Sequence, residues 1–205
     1  MSLPTARQAF AFLRPLKTKS TVLVVGSRAV NIELARFLLG CLEVMKLRPL
    51  VLDSDALYSS EATQIGSDAS DQFASRATLS VPLPEQRIDY WLTRSLVHGA
   101  TSDAILIDNL NTVFHSLNST ESKSAMKKLT FISALLSMIA RTRPQSIFAT
   151  LYARDPSIKE QIGKRTFRKL GDQTVSVRLS DHTLSFECTR GTAWSGEAFS
   201  VSLNP

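Results

Sequence analysis

Four apolar residues run into an acid at Ala104-Ile-Leu-Ile-Asp108, and Asn109 follows. So short a run has no polar face. As a strand it must be covered on both sides, which is the condition of parallel sheets held between helices. A carboxylate at the end of such a strand stands at the carboxyl edge of the sheet, where open α/β folds hold their ligands. Other segments fit the same sheet. Residues 21–25 are rich in β-branched side chains and stop at Gly26, residues 49–52 are closed by Asp53-Ser54-Asp55, and 78–81 and 146–150 supply two more strands.

Helical spacing lies between them. Ile32, Leu34, Ala35, Leu38, Leu39, Leu42 and Met45 recur with a helical period, and Pro84 opens a second helix that runs to His98. The longest predicted helix covers 122–141, with Met126, Leu129, Ile132, Leu136 and Ile139 on one face. Another is expected from Pro156 to about Leu170. After Gly171 the pattern turns to alternation through Val175, Val177, Leu184, Phe186, Cys188, Phe199 and Val201. Strands with connections that short must pair antiparallel. The expectation is an α/β fold, a mixed and mainly parallel sheet flanked by helices, with antiparallel strands at the C-terminal end.

A chain of 205 residues suits one domain, placed at 21–205, preceded by an arm at 1–20. In the arm Phe10 and Phe12 are apolar among cations, and Pro4 and Pro15 argue against regular helix. Such an arm either docks on a neighbouring subunit through Phe10 and Phe12 or folds back on its own domain. No apolar run is long enough to span a bilayer, and the opening residues lack the apolar core of a signal peptide. Cys41 and Cys188 read as small core hydrophobes in a reducing compartment, cytosol or nucleus. His98, His115 and His182 have no acid or cysteine at metal-ligand or nucleophile spacing, so neither a zinc site nor a nucleophilic triad is expected.

The net charge of +6 is unevenly placed. Residues 121–190 hold 13 Lys and Arg against 6 Asp and Glu, whereas 1–120 balance at 11 of each. A local excess of that kind suits either a polyanionic partner or a solvated basic surface.

The ordered set of elements resembles the RecA family of strand-exchange ATPases and its small non-catalytic paralogues, across 21–203. Gly26 opens the position of the phosphate loop, Leu52-Asp53-Ser54-Asp55 resembles the family's Asp-x-Glu element, and Ile105-Leu-Ile-Asp108-Asn109 resembles its Walker B strand. The stretch from Arg190 through Trp194 and Glu197 to Val201 resembles the closing strands. A working phosphate loop needs G-x-x-x-x-G-K-[ST]. Counting from Gly26, Asn31 stands for the second glycine, Ile32 for the lysine and Glu33 for the hydroxyl, which puts a carboxylate where phosphate would sit. Neither ATP binding nor catalysis is expected. Gly26, Asp55 and Asp108 read as vestiges, with the carboxylates capping loops and no cofactor or metal held. Leu151-Tyr152-Ala153-Arg154 stands where the family has a sensor glutamine.

The resemblance implies two DNA-facing loops, at 112–128 and 152–169. The second carries Lys164, Arg165, Arg168 and Lys169 at helical i,i+4 spacing around Phe167, a cluster whose repulsion phosphates would relieve and whose ring could stack a base. The alternative is a surface helix with Phe167 in the core. Lys127, Lys128, Arg154 and Lys159 would extend the track. Phe131-Ile-Ser-Ala134 matches the F-x-x-A pattern of recombinase contacts but is read as core of its helix. The implied function is a nuclear accessory factor of homologous recombination, similar to paralogues of the Shu-complex type. Its expected partners are single-stranded or forked DNA, another paralogue or a SWIM-domain protein, and the recombinase filament, in a hetero-oligomer. An Elongator-like subunit for tRNA modification and an ATPase with an unorthodox loop are the alternatives.

Overall fold

The computed structural model describes residues 3–58, 76–83, 86–152 and 171–203. Its strands are β1 (Ser20–Val25), β2 (Pro49–Leu52), β3 (Thr78–Ser80), β4 (Ala104–Ile107), β5 (Ser146–Tyr152), β6 (Gln173–Ser180), β7 (Thr183–Arg190) and β8 (Phe199–Ser202). Its helices are α1 (Ala6–Leu13), α2 (Arg28–Val44), α3 (Ile88–His98) and α4 (Leu110–Thr142). The eight strands form one sheet in the order β3-β2-β4-β5-β1-β6-β7-β8. Pairing is parallel from β3 to β6 and antiparallel from β6 to β8. The α/β architecture with a mixed, mainly parallel sheet and an antiparallel C-terminal end is thus as the sequence pattern predicts.

The period-two geometry of a strand divides the core. On β1, Leu23 and Val25 join α1 and α2 on one face, while Val22 joins α3 and α4 on the other. On β4, Ala104 and Leu106 face the first layer and Ile105 and Ile107 the second. All four are buried, as a strand covered on both faces must be. Among the described residues no helix is long and apolar enough to cross a membrane.

The helix expected to open at Pro84 is α3, and it begins at Ile88 after an extended Arg87. Two further elements differ from expectation. The predicted irregular arm contains a helix, α1, whose start is fixed by a capping box: Thr5 Oγ1 accepts from the Gln8 N–H, and Gln8 Oε1 accepts from the Thr5 N–H at 2.9 Å. Pro4 lies before that cap, and Pro15 lies in the short 3₁₀ turn Arg14–Leu16 that follows, so neither interrupts the helix. Phe12 is wholly buried among Phe37, Phe148, Phe186, Trp194 and Phe199. It is a core residue of its own domain, which corrects its assignment to a subunit contact. Phe10 is 52% exposed, with the Arg14 guanidinium 5.8 Å from its ring centre.

The second difference follows β4. No loop spans 112–128. A single helix of 33 residues begins at Leu110. Leu110, Val113, Phe114 and Leu117 continue the buried stripe one helical turn after another. The polar run from Asn118 to Ser124 interrupts that stripe in the sequence, which is why the pattern suggests a loop there.

Candidate functional site

The carboxyl edge of the parallel strands gathers the residues that matter. After β1 only Gly26 and Ser27 precede α2. Ser27 caps the helix by accepting from the Val30 N–H, so positions 28–33 are already helical. Asn31, on the first turn, is buried, and its Nδ2 donates to Asp108 Oδ1 at 3.4 Å and to the Tyr152 hydroxyl at 3.1 Å. After β4 the backbone turns through Asn109 in the left-handed region (φ 51°), a conformation asparagine tolerates better than most residues. That turn lets Asn109 cap α4 by accepting from the Asn111 N–H, while its Nδ2 donates to the Asp55 carboxylate. From β5, Thr150 Oγ1 accepts from the Asn109 N–H and donates to Asp108 Oδ1 at 3.4 Å. Ser54 Oγ donates to the Asp108 carbonyl at 2.6 Å.

These groups surround a cavity of about 430 Å³ lined by Arg28, Asn31, Asp55, Asp108, Asn109 and Tyr152. Asp108 is fully buried. Burial first, then the charges of Asp55 and Asp53, push its carboxyl up to about 7, against the opposing pull of the Asn31 amide. Burial likewise raises the Tyr152 and Tyr58 phenols. Asp108 Oδ2 and Asn31 Oδ1 are buried and have no hydrogen-bond partner among the described residues. Among those residues no group of three His, Cys, Asp or Glu side chains could hold a metal ion.

Several predicted residues meet here and others do not. Asp55 and Asp108 come together in the cavity. Ile32 packs against the core beneath α2 instead. Glu33 pairs with Arg36 at 2.8 Å on the same helix and does not line the cavity; Arg28 and Asn31 are the α2 residues that do. The expectation of a carboxylate from position 33 at the phosphate position is corrected accordingly. The reason is the short link, which starts the helix early and turns Glu33 aside.

Lys127 is exposed on α4. Lys128, expected to extend the cationic track, pairs with Asp89 on α3 at 3.1 Å. Arg87 and Lys128 together hold the Asp89 carboxyl well below the usual range. Arg154, Lys159, Lys164, Arg165, Phe167, Arg168 and Lys169, with the helix expected to carry them, lie outside the described residues. Phe131, read as core, is 64% exposed beside Tyr90, because Ile132, Leu136 and Ile139 supply the buried face of α4. The residues lining this candidate site that the pattern did not single out are Asn31, Asn109 and Tyr152. A polar residue at a buried position of an apolar helix was the available signal for Asn31.

No family model and no curated protein matches this sequence. Among solved structures the chain is similar to the crystal structure of the RadB recombinase, with a TM-score of 0.69 over 99% of this chain and 96% of that one, at 11% identity. The fold is RecA-like. Within the RecA-like frame, Gly26 occupies the start of the phosphate-loop position, yet nothing lies within 4 Å of where a Cβ would stand there, and its φ is not left-handed. Gly26→Ala is therefore expected to change stability by less than about 0.5 kcal/mol in a denaturant titration. A loss of about 2 kcal/mol or more, on the order expected for a strained backbone, would show a glycine-dependent loop.

Proposed function

We propose that this chain is a non-hydrolysing RecA-like accessory factor of homologous recombination and DNA repair. It binds single-stranded or forked DNA in the nucleus and pairs with another recombinase paralogue or a SWIM-domain protein to promote filament assembly. The observation that carries the reading is the two-residue link between β1 and α2. A triphosphate is held by successive backbone N–H groups of an open loop and by a lysine. Here α2 starts at Arg28, within the positions where that loop would be, the Val30 and Asn31 N–H groups donate to the Ser27 side chain and carbonyl, and Ile32 stands where the lysine would. The similarity in fold to a protein named a recombinase supports the choice of process, and the basic surplus of residues 121–190 supports a polyanionic partner.

Two measurements test the reading. Labelled ATP with Mg²⁺ is expected to show no saturable binding, and a triphosphate seated against Gly26 would refute the scaffold role in favour of an ATPase. Anisotropy with labelled single-stranded DNA is expected to weaken when Lys164, Arg165, Arg168 and Lys169 are changed together to alanine. The slope of log affinity against log salt should become shallower by roughly 3, at about 0.7 for each phosphate no longer neutralised. Unchanged binding by the folded variant would remove the DNA claim. Affinity capture that returned tRNA-modification subunits would support the Elongator-like alternative.

A further inference from the structure

Summed over residues 1–120 the charges cancel, and that balance conceals a second basic stretch. Residues 1–32 hold five cations, Arg7, Arg14, Lys17, Lys19 and Arg28, and no acid. Folding turns Ala9, Phe12, Leu13 and Leu16 inward. Arg7, Phe10 and Arg14 stay outside, at i, i+3 and i+7 and so on one side of α1. Lys17 is exposed just past the 3₁₀ turn that follows. Phe10 is 52% exposed, and the Arg14 guanidinium sits 5.8 Å from its ring centre.

We propose that this side of α1 binds single-stranded DNA, with Arg7, Arg14 and Lys17 meeting phosphates and the Phe10 ring stacking on an unpaired base. Sites that hold single strands without sequence preference combine a cationic path with an aromatic platform, because every base has a π-face. A duplex keeps its bases stacked on one another and leaves Phe10 nothing to stack on. A membrane surface is the poorer fit. Interfacial helices present a row of large apolar side chains, whereas Phe10 is the one large apolar side chain that α1 exposes. Leu3, 42% exposed, lies before the helix begins.

The acids nearby do not neutralise the three cations. Among the described residues Arg7, Arg14 and Lys17 enter no ion pair. On α2, which packs against α1 through Phe37, Glu33 is held by Arg36 at 2.8 Å and Glu43 by Arg76 at 2.6 Å. On β7, Glu187 pairs with Arg178 at 3.4 Å. Glu197, beyond Trp194, is an exposed carboxylate. Surfaces usually intersperse the two signs, so an unmixed group of cations favours an anionic partner. Lys19 is left out of the site because it donates to Thr192 Oγ1 at 3.2 Å. The chain returns to the sheet at Gly171 beside this same edge, where the Asp172 N–H donates to the Ser20 carbonyl at 2.8 Å and Gln173 Nε2 to the Pro15 carbonyl at 3.4 Å. The inference rests on the DNA reading above and adds a second contact to it, on a different part of the chain.

The test follows the anisotropy of a labelled oligothymidylate with the whole chain. Changing Arg7, Arg14 and Lys17 together to alanine should make the slope of log affinity against log salt shallower by roughly 2, at about 0.7 for each phosphate. Phe10→Ala should leave the slope unchanged and weaken binding by about fivefold to a hundredfold, the effect of losing one stacked base. Phe10→Trp should restore binding, with the added indole quenched by the oligonucleotide, and Phe10→Leu should not. On the duplex with oligoadenylate, Phe10→Ala should change affinity by less than about twofold. All of these positions are exposed, and urea midpoints equal to that of the parent chain show that the variants are folded. Unchanged slope in the folded triple variant overturns the proposal, as does a Phe10→Leu chain that binds like its parent. So does a triple variant that loses binding to phosphatidylserine vesicles while keeping its affinity for the oligonucleotide, which makes this a membrane contact. If the parent chain binds no oligonucleotide, the DNA reading falls and this contact with it. If the parent binds, and only the fourfold change at Lys164, Arg165, Arg168 and Lys169 weakens it, this contact alone falls.

Discussion

Phe12→Ala is expected to destabilise the fold by about 3–5 kcal/mol, the range for emptying a buried aromatic site. The ring has no exposed surface. Its centre lies 5.0 Å from Phe37 in an edge-on contact, 4.9 Å from Phe186 and 5.7 Å from Phe199. Those neighbours come from α2, β7 and β8, so no single element can collapse into the gap. Phe12→Leu should recover much of the loss, and Phe10→Ala should stay within about 0.5 kcal/mol, since that ring faces solvent. Urea midpoints with unchanged m-values would measure all three. Were Phe12→Ala as mild as Phe10→Ala, α1 would be peripheral, and a docking arm would return as the better description.

Asp108→Asn is expected to act in the opposite direction, and only in part of the pH range. An unfolded aspartate ionises near its ordinary value of 3.8, whereas in the fold this carboxyl stays protonated up to about 7. Between those values the native state binds a proton that the unfolded chain has released. Stability therefore falls as pH rises from about 4 to about 7, and is level above that. At about 1.4 kcal/mol per pK unit, the ionised carboxylate costs on the order of 4 kcal/mol at pH 8, and the neutral isostere avoids that cost. The two proteins should match near pH 4, with the variant ahead at pH 8. Asp89 and Asp172 have lowered values and contribute with the other sign, losing their stabilisation as pH drops through the acid range. They are present in both proteins, so the difference isolates Asp108. Parallel stability profiles from pH 4.5 to 8 would sink the claim.

The sheet was legible because its strands have short apolar runs and its helices have spaced ones; each periodicity reports one kind of burial. Ala104-Ile-Leu-Ile-Asp108 was placed correctly as a doubly covered strand for that reason. The start of α4 was not, because eight consecutive positions from Ser116 to Lys123 are polar but for Leu117, and a helix can carry such a run when its neighbours anchor both ends. The place of Phe12 stays open in the sequence because its partners lie up to 187 positions away, beyond what any local pattern encodes. The cavity was half visible. Asp55 and Asp108 could be found as carboxylates that end strands, but Asn31 and Tyr152 join them only through the register that sets β1 beside β5. The departure from the phosphate-loop pattern was visible at Ile32; the early start of α2, which turns Glu33 away, was not.

The packing of Phe12 on Phe199 has a bearing on how the polypeptide is made. The helix α1 leaves the ribosome well before the segments it docks on, with Phe186, Trp194 and Phe199 among its neighbours. Until those emerge, an amphipathic segment with an aromatic on its apolar side waits uncovered, as does the face of α2 that it will share. Synthesis at about 5–20 residues per second sets that wait at tens of seconds or less, long enough for a chaperone to be the first thing the helix meets. Closure of so distant a pairing also raises contact order, and slow acquisition of the native state goes with it.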